Sequence, residues 1–501
     1  MKHKLRIALV VMVIIIIIIT GILFEELSTM DWSHDYDYDN GFQRKMEEAM
    51  GYTKDLDPSL KNMNELKFHL LSKNNNIDKF LSRSKQNTTV MYDTSVERLF
   101  KLLESIPEFR FSRKKLRNGN FEDMVLRLSK YSRTQSPFLY DQNLDIGSNN
   151  YRQFHQHIRY SVLYDTEDPV IDGLIHDMSS DTITSVEMME EGTELKLFMK
   201  MKKGTEAVFK PMRWGREHET LPNHYYFNDY ERHNSEIAAF HLDRILGFYR
   251  VPPVTGRLVN MTSEIFRLAG KTLRRTFYVS PIGNLCFFGV CKYYCDSRHS
   301  FCGNVDMIEG SLMVWLPDDL EAERRRWKSP YRRSYSKFRK AEWEENEDYC
   351  INLLDETSVY KYPRYILDLV DTHIFDFITG NMDRHHSEIF EAAGNDSFLI
   401  HMDNGRGFGK ANVDEYSIIT PLRQCCLIRK STFIKLAKLY IGPERLSNLL
   451  DMSTRKDPLY PVVIQGHLNA VDRRVLHILT LVAECVKGSN SVDDVIIEDG
   501  Y

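Results

Sequence analysis

The sequence predicts an α+β, two-lobed globular domain with a cysteine-bearing insert, carried behind a single N-terminal membrane span. Three observations predict it. The run Ile7–Phe24, just after the Met1 amine, Lys2, Lys4 and Arg6, holds no ionisable side chain. All eight cysteines lie at or beyond Cys286. From Tyr151 to about residue 488 the apolar pattern is globular; those roughly 340 residues suffice for one large domain.

The apolar run includes six consecutive isoleucines, Ile14–Ile19, and its eighteen residues span ~27 Å as a helix, enough to cross a hydrocarbon core. Basic residues before it, against Glu25, Glu26 and Asp31 after it, place residues 1–6 in the cytosol and the rest in the secretory lumen. A cleaved signal peptide is the rival reading, but Thr20-Gly-Ile-Leu-Phe24 offers no small-x-small cleavage site. Both readings deliver the domain to an oxidising compartment. There an even number of cysteines reads as disulfides. Cys286, Cys291, Cys295 and Cys302 leave zinc as an alternative, although no Cys-x-x-Cys pair occurs. Asn87, Asn260 and Asn395 head glycosylation acceptors that fit the same compartment. A net charge of −5 over 501 residues gives no nucleic-acid signature. The basic stretches Arg324–Arg326 and Arg332–Lys340 read either as a solvated face or as a dock for acidic substrates.

In chain order, polar residues 25–93 read as a lumenal stem, and 94–150 as an extension packing on the domain, with an amphipathic helix over Val96–Ile106. The domain itself covers 151–488, its small lobe running to about 312 and its large lobe over 317–488. Glu194-Leu-Lys-Leu-Phe-Met-Lys-Met201 alternates as a strand, Lys202–Thr205 turns, and Glu206-Ala-Val-Phe-Lys210 returns, forming a hairpin. A helix follows, with Asn228-Asp-Tyr-Glu231 at capping-box spacing and an apolar stripe from Ile237 to Leu246. A hairpin lysine followed by a helix with acidic residues near its start is the order of a protein-kinase small lobe. The insert Cys286–Cys350 is interrupted by the apolar run Ser311–Pro317. Helices are expected over Tyr365–Thr379 and about His467–Val486, the latter ending the domain before a tail, 489–501.

Phosphoryl transfer needs a base for the attacking hydroxyl, a lysine on the phosphates and carboxylates for a divalent metal. Asp383-Arg-His-His-Ser-Glu388 has the spacing of a kinase catalytic loop, with Glu388 in the asparagine position. Twenty residues after Asp383, Phe398-Leu-Ile-His-Met402 reads as a strand ending in Asp403-Asn-Gly405, the arrangement that holds metal in kinases. Each group has a plainer use: Asp383 and Asp403 as turn or helix caps, Glu231 as the partner of Asn228, Lys210 as a solvated strand end. No Gly-x-Gly-x-x-Gly precedes Lys210. Adjacent His385 and His386 point to different faces and make no paired metal site.

Several segments carry a resemblance. They are Phe209-Lys-Pro-Met212, Asp229–Leu246, Val251-Pro-Pro253, Ile308-Glu-Gly-Ser-Leu312, Gly380-Asn-Met-Asp-Arg-His-His386, His401–Gly409 and Gln424–Thr432. From about Tyr151 to Val486 the chain resembles the secretory-pathway Golgi casein kinases, whose relatives include a xylose kinase and a pseudokinase. The resemblance implies an atypical protein-kinase-like fold and ATP-dependent transfer to serine in Ser-x-Glu motifs of secreted or extracellular-matrix proteins. It implies manganese, with magnesium as the substitute, and a type II protein of the Golgi lumen that cleavage would release. A second copy or a related pseudokinase is the implied partner. Asp383 would be the base, Asp403 and Glu231 the metal ligands, and Lys196 and Lys210 the phosphate lysines. Glu194 and Glu388 would meet nucleotide or its metal, although Glu194 stands where a glutamine is expected. Met313, Val314, Trp315 and Leu316 would line adenine. The implied disulfides are Cys286–Cys302, Cys291–Cys295, Cys350–Cys425 and Cys426–Cys485. Met382 and Gly405-Arg-Gly-Phe408 follow the protein-kinase branch rather than the xylose-kinase one. Glu231 is the metal ligand that the pseudokinase branch is expected to lack. A lumenal matrix-binding protein would explain the cysteines but leave the lysine and carboxylate set without a purpose.

Overall fold

The computed structural model describes residues 136–138 and 149–497, apart from 190–191, 222–223, 227–228, 305, 319–321, 337 and 357–362. The expected membrane span, the stem, the helix over 96–106 and Asn87 lie outside the described residues. Among the described residues no helix is long and apolar enough to cross a membrane. Of the expected extension, Phe138 sets its ring edge-on against Phe390 at 5.0 Å.

Two helices, α1 (Asn150–His157) and α2 (Pro169–Ser180), lead into the small lobe. Asn149 and Asp168 cap them, each side chain accepting a backbone N–H from the first turn. Strands β1 (Ile183–Met188), β2 (Leu197–Met201) and β3 (Glu206–Pro211) then form a meander. The predicted hairpin is present, but its first strand starts at Leu197, leaving Glu194 in the approach to it. Helix α3 (His233–Leu246) follows, and β4 (Val254–Asn260) returns to the sheet. The helix starts beyond the expected capping box, whose Asn228 lies outside the described residues. Arg232 is the N-cap with no side-chain bond, and Asp229 instead takes the Arg232 guanidinium at 2.9 Å and the Thr220 hydroxyl at 2.7 Å. Glu231 is thereby free of the helix end and turns toward Lys210. A cap is worth about 1 kcal/mol, less than the cost of leaving a buried ammonium uncompensated.

The start of the insert joins the segment before it in a three-stranded sheet, β5 (Phe277–Val279), β6 (Leu285–Phe287) and β7 (Phe301–Cys302). Strand β8 (Met307–Val314) then enters the main sheet between β3 and β4, giving the antiparallel order β1-β2-β3-β8-β4. Its register puts Ser311 opposite Lys210 and carries Val314 out to the junction with the large lobe.

The large lobe opens with β9 (Arg324–Lys328), whose partner is β10 (His386–Phe390). Between them runs α4 (Pro363–Thr379), buried all round from Arg364 to Thr379 although it carries Asp368, Asp371, His373 and Asp376. Its charges are paired rather than solvated: Arg250 and Arg429 both reach Asp368 and Asp371, and Arg384 takes Asp376. Strand β11 (Ile428–Arg429) leads into α5 (Lys430–Ile441), α6 (Leu446–Thr454) and the closing α7 (Gln465–Gly488).

Two further expectations are corrected. Phe398–Met402 is no strand: one edge of β10 is taken by β9, and only Ile400 bridges to Glu388 on the other. Nor does the domain end with α7. Strand β12 (Ile496–Ile497) pairs in parallel with β11, so the start of the expected tail completes the fold. All eight cysteines are paired as the resemblance implied, which leaves no thiolate for zinc.

Candidate active site

Strand alternation brings Lys210 to the inner end of β3 and Lys196 to the approach of β2. The Lys210 ammonium is buried and meets three carboxylates: Glu236 at 2.5 Å, Glu231 at 2.8 Å and Asp403 at 3.3 Å. Lys196 reaches the same Asp403 oxygen at 3.2 Å. Oxygen atoms of Glu231, Glu236 and Asp403 lie within 4.8 Å of one another, close enough to share a cation. Three hard oxygen donors suit magnesium or manganese.

The charges perturb one another strongly. Burial alone would lower Lys210, but Glu231, Glu236 and Asp403 hold it well above its ordinary value. Lys196 holds the Asp403 carboxyl well below the usual range, against the burial that would raise it, and Lys210 adds to the effect. Glu194 behaves oppositely: burial and the neighbouring Glu231 charge push it up to about 7. It accepts the Glu231 backbone N–H at 3.0 Å and faces Arg213 at 3.4 Å, so it supports the segment that presents Glu231.

Asp403 adopts a left-handed backbone, φ +56°. The glycines after it let this segment lie on the start of α3: a Cβ on Gly407 would stand 2.7 Å from the Ser235 hydroxyl. Asn404 N–H donates to the second Glu236 oxygen at 3.1 Å. Glu236 therefore bridges the lysine of β3 to the turn holding Asp403. The sequence reading missed it and fixed on Glu231. The available signal was the kinase order itself, which asks for an acid within the helix rather than before it.

Across the cleft Asp383 sits in a turn that Asn381 holds, the Asp383 N–H donating to Asn381 Oδ1 at 3.0 Å. Arg384 fixes this turn from behind. It donates to both Asp376 oxygens at 2.8 and 2.9 Å, to Asn404 Oδ1 at 2.6 Å and to the Met402 carbonyl. One buried guanidinium thus links α4, the Asp383 turn and the Asp403 turn. The Asp383 carboxylate itself accepts from Arg406 at 2.8 Å and from the Tyr335 hydroxyl at 2.5 Å. Arg406 entered the sequence reading only within Gly405-Arg-Gly-Phe408 and Tyr335 only within Arg332–Lys340, neither with a role on Asp383. Beyond Asp383 the cleft continues into a cavity lined by Tyr226, Met382, Lys410 and Glu415 among others.

The other expected residues fall at the rim. Glu388 lies on β10 and pairs with Arg324 at 2.6 Å, outside the three-carboxylate group. Met313, Val314 and Leu316 are buried where β8 leaves the sheet. Trp315 packs edge-on against Phe198 at 5.2 Å, and the Arg324 guanidinium lies over its ring. The basic stretches separate. Arg324 and Arg325 pair with Glu388 and Glu391 on the Trp315 side, so they form no dock beside Asp383. Arg333 does reach that side, but its guanidinium is spent on the Met382 carbonyl and the Ser417 hydroxyl. Of the glycosylation acceptors, Asn260 caps a short helical turn by accepting from Ser263 N–H, and Asn395 lies in the turn Glu391–Asp396.

With the site described, its likeness to known proteins is informative. Residues 149–494 match the family described as Golgi casein kinase, C-terminal, Fam20. The human extracellular serine/threonine protein kinase FAM20C is 52% identical over 351 residues, covering 70% of this chain and 60% of its own. The Drosophila melanogaster extracellular serine/threonine protein CG31145 is 49% identical over 340 residues, covering 68% of this chain and 64% of its own. The match thus spans less than two thirds of either relative. A crystal structure of the Golgi casein kinase with Mn/ADP bound superposes with a TM-score of 0.70 at 38% identity, covering 81% of this chain and 92% of that one. With the matched region taking in both lobes and the whole lysine and carboxylate set, the chain belongs to the Fam20 family of Golgi casein kinases.

Proposed function

We propose that this protein is a secretory-pathway serine/threonine kinase that transfers the γ-phosphate of ATP to serine in Ser-x-Glu contexts of secreted or extracellular proteins. The observation carrying the reading is the meeting of Lys210, Lys196, Glu231, Glu236 and Asp403 opposite Asp383. Three carboxylates against two ammonium groups leave net negative charge for a divalent cation. Manganese, or magnesium in its place, would be held by Asp403 and Glu231, where it would neutralise phosphate charge. Lys196 and Lys210 would then turn from Asp403 toward the phosphates. Glu236 would keep Lys210 in place, and Met313–Leu316 would line the adenine. Asp383 would accept the proton of the attacking hydroxyl, held in orientation by Arg406. Glu194 and Glu388 would support the nucleotide side indirectly, through the Glu231 backbone and through Arg324.

The anchor read at Ile7–Phe24 and the four disulfides support a lumenal, type II placement, with release by cleavage as the variant. A second copy or a pseudokinase relative is the proposed partner. Labelled ATP offered with manganese to the purified protein tests the reading, with Ser-x-Glu peptide and xylosylated acceptor side by side. Transfer to the peptide supports it. Transfer to the sugar alone moves the chain to the xylose-kinase alternative, and no transfer to either moves it to the pseudokinase alternative.

A further inference from the structure

The Asp383 carboxylate is poorly placed to receive an acceptor as the structure stands. Its side chain is 13% exposed, and each of its oxygens already accepts a hydrogen bond. Arg406 occupies Oδ2 at 2.8 Å, and the Tyr335 hydroxyl occupies Oδ1 at 2.5 Å. The second contact has the form that a phosphate acceptor would take: an alcohol O–H aimed at the base.

Tyr335 belongs to a short strap crossing the mouth of the site. The strap is tied down on one side by Arg333, through Met382 and Ser417, and by the Tyr226 hydroxyl, which donates to the Ser334 carbonyl at 2.8 Å. Phe338, three positions after Tyr335, is 96% exposed. Tyr335 itself is 50% exposed. Its ring rests edge-on against Tyr226 at 5.6 Å and His385 at 5.8 Å. The ring is thus in contact with the site but open to solvent on its outer face. Moving the phenol would uncover Asp383 Oδ1.

We infer that Tyr335 is a specificity-determining residue whose hydroxyl holds the acceptor's place on Asp383 and must be displaced by it. The inference rests on the kinase reading above. Only an acceptor whose neighbouring groups engage the cavity beyond Asp383 gains enough to displace the phenol. Water and short alcohols do not, which limits wasteful ATP hydrolysis.

Tyr335→Phe tests this, because it removes the hydroxyl and keeps the ring on Tyr226 and His385. Displacing a charge-assisted hydrogen bond at a half-exposed site costs the acceptor about threefold to tenfold. The variant is therefore expected to lower the acceptor-peptide KM and dissociation constant by that factor. It should also raise acceptor-free ATP hydrolysis, while KM for ATP and the melting temperature stay unchanged. A fall in kcat at constant peptide KM would overturn the inference, showing that the hydroxyl orients Asp383 instead. Unchanged peptide binding and unchanged hydrolysis would overturn it as well. Tyr335→Leu serves as the second variant: it must bind peptide at least as tightly as the native chain for the inference to stand. Peptide affinity is read without turnover, so failure of the strap is distinguishable from a native protein that transfers phosphate to nothing, which would sink the kinase reading too.

Discussion

Replacing Glu236 by glutamine probes the bridge that the structure adds to the site. The side chain is 1% exposed and accepts two hydrogen bonds, from Lys210 at 2.5 Å and from Asn404 N–H at 3.1 Å. Glutamine keeps the volume and can still accept from Asn404 through its amide oxygen. Its NH2 group then faces the Lys210 ammonium, so one charge-assisted bond is lost and a donor meets a donor. Such a bond is worth about 1.5–3 kcal/mol, or roughly tenfold to 150-fold in rate. Glu231 and Asp403 remain on Lys210, so the lower end, about tenfold in kcat/KM for ATP, is expected. Steady-state kinetics against ATP at saturating acceptor, with a manganese titration, measures it. The manganese requirement should shift less than in Glu231→Gln. A kcat/KM within twofold of the native protein, with an unchanged melting temperature, would refute the bridging role.

Asp403→Ala should abolish transfer together with nucleotide-linked manganese binding, measured by equilibrium titration; retained activity removes Asp403 from the metal site. Asp383→Ala should keep ATP affinity and lose turnover, and a parallel collapse of affinity would show that the two aspartates do not divide the work. The Cys350–Cys425 bridge closes a separation of 75 residues that contains both aspartates, so replacing both cysteines by serine should lower stability by about 4–5 kcal/mol in the chain-entropy limit. A loss below about 1 kcal/mol in denaturant unfolding would show that the reduced chain is already constrained. Burial alone would raise Glu309, but the His233 imidazole at 3.2 Å and the Arg216 guanidinium at 2.7 Å hold it at about 2. A depressed carboxyl contributes stability above its unfolded value and loses it as pH falls from there. The half-buried pair should therefore cost about 2 kcal/mol between roughly pH 4.5 and 2. Glu309→Gln should flatten that part of the pH–stability curve, and an unchanged slope would assign the loss to other groups.

Elements written in local pattern were legible from the chain. The 202–205 turn between alternating residues gave the hairpin that ends in Lys210, and the apolar spacing of 365–379 and 467–486 gave α4 and α7 nearly to their ends. The Asp383 and Asp403 turns were legible as motifs. Patterns failed where a residue had two possible partners. Phe398–Met402 reads as a strand, yet one edge of β10 is taken by β9 and on the other only Ile400 bridges, to Glu388. Asn228–Glu231 has capping-box spacing, yet Asp229 went to Arg232 and Glu231 to Lys210.

By itself, then, the sequence determined the apolar run Ile7–Phe24, the secondary structure of its strongly periodic segments, and the lysines and carboxylates of the cleft other than Glu236. Only the tertiary structure decided which of them meet. Lys196 and Asp403 are 207 positions apart, and Lys210 chose Glu236 as well as Glu231 because both acids fall within reach of one buried ammonium. The same holds for Tyr335 on Asp383 and for Arg324 and Arg325 of β9, which pair with Glu388 and Glu391. The reason is physical. Periodicity reports which face of an element is buried, whereas the pairing of charges depends on distances fixed only when the elements pack.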